Sequence, residues 1–161
     1  MMSRLIALLL SVGLFVALGC ATPPVAQRAP DFQLPTLTGA SIHLADLHGR
    51  YVLINFWATW CLPCREEMPY LQQLAETHAD QLTVLGINMR ESSTEIQPYV
   101  AQLGLTFPIL LQPNDDMMLG YGVRGLPLSF VIAPDGEIIF RQVGPLESEK
   151  FDLWLEERLD L

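Results

Sequence analysis

A continuous β-prone run, Tyr-Val-Leu-Ile-Asn-Phe-Trp at residues 51–57, is followed after three residues by Cys61-Leu62-Pro63-Cys64 and then by a helical pattern reaching residue 78. Apolar residues without polar alternation read as a strand covered on both faces. The strand therefore delivers two cysteines to the first turn of a helix. Paired at this spacing, they can open and close a disulfide with little backbone movement. A helix N-terminus presents unpaired N–H groups and the positive end of the peptide dipoles. A thiolate is stabilised there, so Cys61 becomes nucleophilic near neutral pH. The chemistry indicated is thiol–disulfide exchange. Cys61 is expected to be the attacking, partly exposed sulfur, and Cys64, one turn in and more buried, resolves the mixed disulfide. A purely structural disulfide is the weaker alternative, because so short a loop constrains the unfolded chain little.

The N-terminus reads as an export signal. Arg4 is the sole charge in residues 1–19, and residues 5–18 form an uncharged apolar stretch of 14. That is short of the roughly 20 apolar residues a spanning helix needs, and fits a secretory signal. The stretch ends in Val16-Ala17-Leu18-Gly19-Cys20, which resembles a bacterial lipobox. The resemblance implies cleavage before Cys20 and lipidation of that residue; the alternatives are an ordinary signal peptide cut nearby and a short uncleaved anchor. Cysteine parity agrees: three cysteines leave one over once Cys61 and Cys64 pair. An acyl-modified Cys20 would hold the protein on a membrane surface. Residues 20–28, rich in Pro and Ala, read as a tether, and residues 29–161 as one folded domain. Acidic residues outnumber basic ones 18 to 9, for a formal charge of −9. Such a body is a poor match for phosphate backbones, so no nucleic-acid partner is expected.

Along the domain, alternating residues around Thr38-Gly39 predict a small β-hairpin. Residues 45–49 form a turn. The first helix, 62–78, carries Met68, Leu71, Leu74 and Ala75 on one face, with a kink expected at Pro69. Residues 82–88 predict a second buried strand and therefore a parallel crossover. Residues 93–103 predict a helix capped by Ser92 or Ser93, with Pro98 in an early turn. A short strand at 107–111 and a helical turn at 117–121 come next. Residues 128–133 and 137–143 flank Pro134-Asp135-Gly136 as a hairpin. A last helix, 148–159, has Ser148 as its cap and packs Phe151 and Trp154 on the sheet. The sum is an α/β fold, a mixed sheet with helices on both faces.

Several motifs in order resemble those of the extracytoplasmic thioredoxin-like thiol–disulfide oxidoreductases, the TlpA/ResA/CcmG-like group of the alkyl hydroperoxide reductase and thiol-specific antioxidant superfamily. They are Ala29-Pro30-Asp31-Phe32, Leu47-His48-Gly49, Asn55 through Cys64, Glu67-Met68-Pro69, Tyr121 through Pro127, and Pro134-Asp135-Gly136. The resemblance implies a thioredoxin-like fold with an N-terminal hairpin and a central αβ insertion. It also implies that Pro127 is the cis-proline facing the disulfide, leaving the backbone of Leu126 to pair with an extended substrate segment. An X-Pro bond is otherwise usually trans. Both neighbours of Pro127 are leucines, which leaves substrate preference open. In reductant members a glutamate at the position of Glu67 moves protons for the thiols. Physical reasoning points the same way, since a buried carboxylate near thiols raises their pKa values. Cytoplasmic thioredoxins carry a buried aspartate six residues before the first cysteine. Asn55 stands there and cannot accept a proton, so Glu67 is the candidate acceptor. The alternative is a solvated helix glutamate like Glu66.

Trp60 and Pro63 are expected to flank the substrate groove, and Trp57 to be core. No cofactor beyond the Cys61–Cys64 pair and no metal site is expected. A single CxxC lacks the second ligand pair of a zinc site, and His43, His48 and His78 read as surface or loop residues. The resemblance implies partners as well: exported protein disulfides, among them apocytochrome c, and a membrane thiol-electron transporter of the CcdA or DsbD type. The location implied is the outer face of a bacterial cell membrane. Two other functions compete. A thiol peroxidase would place a proline in residues 54–61, where none stands. A copper-delivery protein of the Sco type would use cysteines three residues apart and a downstream histidine, yet none follows His78.

Overall fold

The computed structural model describes residues 27–159; the expected export signal, Cys20 and most of the tether lie outside them. A two-stranded hairpin, β1 (Gln33–Pro35) and β2 (Ser41–His43), leads through a 3-10 turn (Leu44–Leu47) to β3 (Tyr51–Trp57) and α1 (Leu62–Thr77). Then come β4 (Leu82–Asn88), α2 (Ser93–Leu103), β5 (Ile109–Leu110), α3 (Asp115–Gly120), β6 (Leu128–Ile132), β7 (Ile138–Val143) and α4 (Ser148–Leu159). The main sheet has the order β5-β4-β3-β6-β7. β4 runs parallel to β3 and β5 parallel to β4, while β6 is antiparallel to β3 and β7 to β6. This is the expected mixed sheet of a thioredoxin-like fold.

Strand parity divides the core. Val52, Ile54 and Phe56 of β3 join Phe130 and Ile132 of β6 on the face covered by the hairpin and α3. There Tyr121 packs 5.4 Å from Phe56 and 5.2 Å from Phe130, and its hydroxyl donates to the Pro30 carbonyl at 2.8 Å. Leu53 and Trp57 point the other way, toward Cys64, Met68, Leu71 and Leu74 of α1 and toward α2 and α4. Phe140 of β7 meets Phe151 and Trp154 on that same side, with centroids 5.0 and 4.8 Å apart. Asn55 and Ser129, opposite each other in register, share the parity of Leu53 and Val131 and so face α1.

Local chemistry explains where the structure departs from expectation. Gln27 and Arg28, assigned to the tether, already belong to the fold: Gln27 accepts from Ile138 N–H at 2.8 Å and Arg28 bridges Glu137. α1 runs from Leu62 to Thr77 with Pro69 inside it. A proline there cannot bond the Arg65 carbonyl, and Tyr99 donates its hydroxyl to that oxygen at 3.5 Å instead. Pro98 is the sixth residue of α2, beyond the first turn, and the carbonyl it leaves free belongs to exposed Thr94. Ser92 caps α2 in a reciprocal box with Glu95. Ser148 is the first residue of α4 rather than its cap, since Phe151 N–H bonds the Glu147 carbonyl. The strand expected over residues 107–111 shortens to Ile109–Leu110.

Gly86 of β4 lies where the sheet presses most tightly on the α1 side. A Cβ there would meet Ile109 and Phe107 at 3.0 Å and the Trp57 indole nitrogen at 3.1 Å. Gly86→Ala should therefore destabilise the fold by about 1–3 kcal/mol through overpacking, read as a lowered urea midpoint with an unchanged slope.

Candidate active site

The end of β3 supplies the site. After Trp57 the chain turns through Thr59 and Trp60, and Cys61 caps α1, its sulfur accepting from the Cys64 N–H at 3.3 Å. A disulfide joins Cys61 and Cys64, their Cα atoms 5.3 Å apart. Pro63 occupies the first turn, where its missing N–H costs nothing. Cys64 is fully buried, and Cys61 is only 6% exposed, less than expected, because it packs into the core on the α1 side. Around this nearly covered disulfide, Trp60 and Leu62 stand out at 71% and 62% exposure, while Trp57 is fully buried. Two exposed apolar side chains thus flank Cys61 in the chain, at the end of β3.

The Leu126-Pro127 peptide bond is cis. Leu128 of β6 pairs with Phe56 of β3, so Leu126-Pro127 sits beside the end of β3 from which the cysteine turn departs. Gly144 N–H bonds the Pro127 carbonyl at 2.9 Å. Leu126 is half-buried, packed between the two core faces.

Glu67, three residues beyond Cys64, is buried, whereas Glu66 is exposed. One carboxylate oxygen accepts from Asn55 Nδ2 at 2.8 Å, and the other from the Leu146 backbone N–H at 2.9 Å. Asn55 Nδ2 also donates to Ser129 Oγ at 2.9 Å. Burial pushes the Glu67 carboxyl above its ordinary value, while the Leu146 and Asn55 hydrogen bonds pull against that rise. Asn55 Oδ1 is buried without a partner.

Two parts of the site have only a weak trace in the sequence. Ser129 is a lone polar residue in an apolar strand, and only strand register sets it opposite Asn55. Glu91 accepts from the Thr59 N–H at 2.7 Å, from the Thr59 hydroxyl, and from Asn88 Nδ2 at 2.8 Å. It clamps the turn just before Cys61 to the end of β4. The Asn88–Glu91 spacing after a strand was its one visible signal.

The sequence profile of the family described as AhpC/TSA matches residues 25–141. The chain is similar to the thiol-disulfide oxidoreductase ResA of Geobacillus kaustophilus, 36% identical over 133 residues that cover 82% of this chain and 76% of that protein. It is also similar to the thioredoxin-like protein YneN of Bacillus subtilis, 37% identical over 138 residues, 84% of this chain and 78% of that one. Among solved structures, a thiol:disulfide interchange protein of the thioredoxin family from Chlorobium tepidum superposes with a TM-score of 0.75 at 30% identity, covering 83% of this chain and 97% of that one.

The raised carboxyl of Glu67 has a signed consequence for stability. The folded form binds this proton more tightly than the unfolded chain. Its stabilising contribution is therefore complete below the ordinary glutamate value and is lost as pH rises through the raised one. Glu67→Gln removes that loss. Across the window, the stability difference should move in the variant's favour by at most about 1.4 kcal/mol per pH unit, measured by urea unfolding of the oxidised protein at stepped pH.

Proposed function

The chain belongs to the AhpC/TSA family and is a thioredoxin-fold thiol–disulfide oxidoreductase, and we propose that it works as a membrane-tethered reductant of exported protein disulfides. The observation that carries this reading is the Cys61–Cys64 disulfide at the start of α1 with buried Glu67 one turn further on. In the reduced protein, the Cys61 thiolate attacks one sulfur of a substrate disulfide. A mixed disulfide forms, and the other substrate sulfur leaves as a thiolate that takes up a proton. Cys64 then gives its proton to ionised Glu67, and its thiolate attacks the Cys61 sulfur. The second substrate sulfur leaves as a thiolate and is protonated in turn, and the Cys61–Cys64 bond closes. Two electrons pass from the protein to the substrate, and the resting dithiol returns when an outside dithiol supplies two more.

Leu126 and Pro127 form one wall of the substrate groove, with Trp60 and Pro63 on the cysteine side. A substrate segment in extended conformation pairs with the backbone of Leu126. Residues 1–19 with Cys20 support export and lipid anchoring at the outer face of the cell membrane, with the tether ending before Gln27, where the catalytic domain begins. Apocytochrome c, whose cysteines must be reduced for haem attachment, is the substrate in this reading. A membrane thiol-electron transporter of the CcdA or DsbD type is the electron source, and no cofactor besides the cysteine pair takes part.

Trapping tests the roles directly. Cys64→Ala should stall in mixed disulfides through Cys61 and accumulate at least about tenfold more captured protein than Cys61→Ala, as expected when the resolving thiol is missing. Non-reducing electrophoresis followed by identification of the captured chains reads this out. Equal capture by the two variants would contradict the assignment of Cys61 as nucleophile.

A further inference from the structure

A cleft opens at the residues that flank Leu126-Pro127 in the chain. It has a volume of about 410 Å³ and is lined by Gly122, Arg124, Gly125, Leu128, Arg141 and Val143. Its place follows from register: Leu128 opens β6 opposite Phe56 of β3 and opposite Val143 at the end of β7. The cleft and the disulfide therefore share one end of the sheet, with the Leu126-Pro127 segment between them. Arg141 holds its guanidinium 5.8 Å from the Phe130 ring centroid, on the face covered by α3. Arg124 is exposed two residues before Leu126, a span of at most ~7 Å along the chain.

The cleft is basic, on a body of net negative charge. The chain carries 9 basic residues against 18 acidic ones. None of the ion pairs among the described residues uses Arg124 or Arg141; they join His43 to Asp31 and Asp46, Arg90 to Asp115, and Lys150 to Glu147. Two arginines with no carboxylate partner among the described residues thus line one cavity on a body of net negative charge. Val143, 60% exposed, gives the cavity an apolar border, and at Gly125 nothing lies within 4 Å of where a Cβ would be. Guanidinium forks match carboxylates in shape and charge. The net charge of −9 disfavours a polyanion such as a phosphate backbone. A single carboxylate carried by a peptide fits both conditions.

We infer that the Arg124–Arg141 cleft is a specificity subsite for an acidic side chain of the substrate protein, two to four residues from the cysteine under attack. The inference rests on the reading that substrate lies extended along Leu126. Extended chain advances ~3.3 Å per residue, so a segment leaving the disulfide past Leu126 brings its next few side chains over the cleft. The subsite selects among disulfides by their flanking charge, a preference that Leu126 and Leu128, being apolar, do not supply.

The test uses cyclic disulfide peptides that differ only in a Glu or Gln two, three or four residues from the cysteine, on either side. kcat/KM for their reduction is measured with the full chain at about 20 mM salt and again at about 500 mM. The expected result is a preference of about three- to tenfold for at least one Glu peptide over its Gln counterpart, weakened at the higher salt. The Glu/Gln ratio should fall toward one in Arg124→Gln and in Arg141→Gln, and be largely retained in Arg124→Lys. Equal rates for every Glu and Gln pair, with reduction proceeding, would overturn the subsite and leave the reductase reading standing. A preference that survives both glutamine substitutions would also overturn it. Failure to reduce any of the peptides would instead overturn the reductase reading, and the subsite with it.

Discussion

The buried carboxylate of Glu67 ties together the parts that make this site. Its two hydrogen bonds join α1 to β3 through Asn55 and to the segment before α4 through Leu146, and Asn55 extends the link to Ser129 of β6. An ionised carboxylate in such a place is costly unless its oxygens are satisfied. Here each oxygen has one donor, enough to hold the group in position without removing the pressure of burial. The outcome is an acid whose proton affinity is raised, one helical turn from Cys64. Structure and chemistry depend on the same contacts, because the network that docks the active-site helix also sets the proton affinity.

The rest of the fold brings three strand termini to one end of the sheet. β3 ends there and hands the cysteines to the first turn of α1. β6 begins there, immediately after Leu126-Pro127. β7 ends there with Val143, and Gly144 anchors the Pro127 carbonyl. Glu91 holds the intervening turn through Thr59, so the end of β4 also helps fix the approach to Cys61. The sulfurs are nearly covered while Trp60 and Leu62 are largely exposed. On the proposed function, a protein substrate meets apolar side chains first and the reactive bond second.

Much of this was legible in the chain because its signals are local. Strands β3 and β4 match their apolar runs residue for residue, and the two hairpins stand where Thr38-Gly39 and Pro134-Asp135-Gly136 mark turns. The spacing of Cys61, Cys64 and Glu67 on one helix gave their relation directly. What could not be read is what register creates. Ser129 meets Asn55 only because β6 pairs antiparallel with β3, and Leu146 contributes a backbone N–H, which has no signature in side-chain types. The depth of Cys61 is a similar case: a cap position suggests exposure, but packing from the core on the α1 side covers it. The boundary at residue 29 was drawn from composition, whereas Gln27 and Arg28 are held by main-chain pairing that composition does not reveal.

The account stands on Glu67 being an acid of raised proton affinity that responds to the state of the cysteines. The most direct measurement is a carbon-13 NMR titration of the Glu67 side-chain carboxyl, followed in the oxidised protein and again after reduction. The expected result is a midpoint above the ordinary glutamate range that moves when the disulfide is opened. A midpoint at the ordinary glutamate value, the same in both redox states, would contradict it.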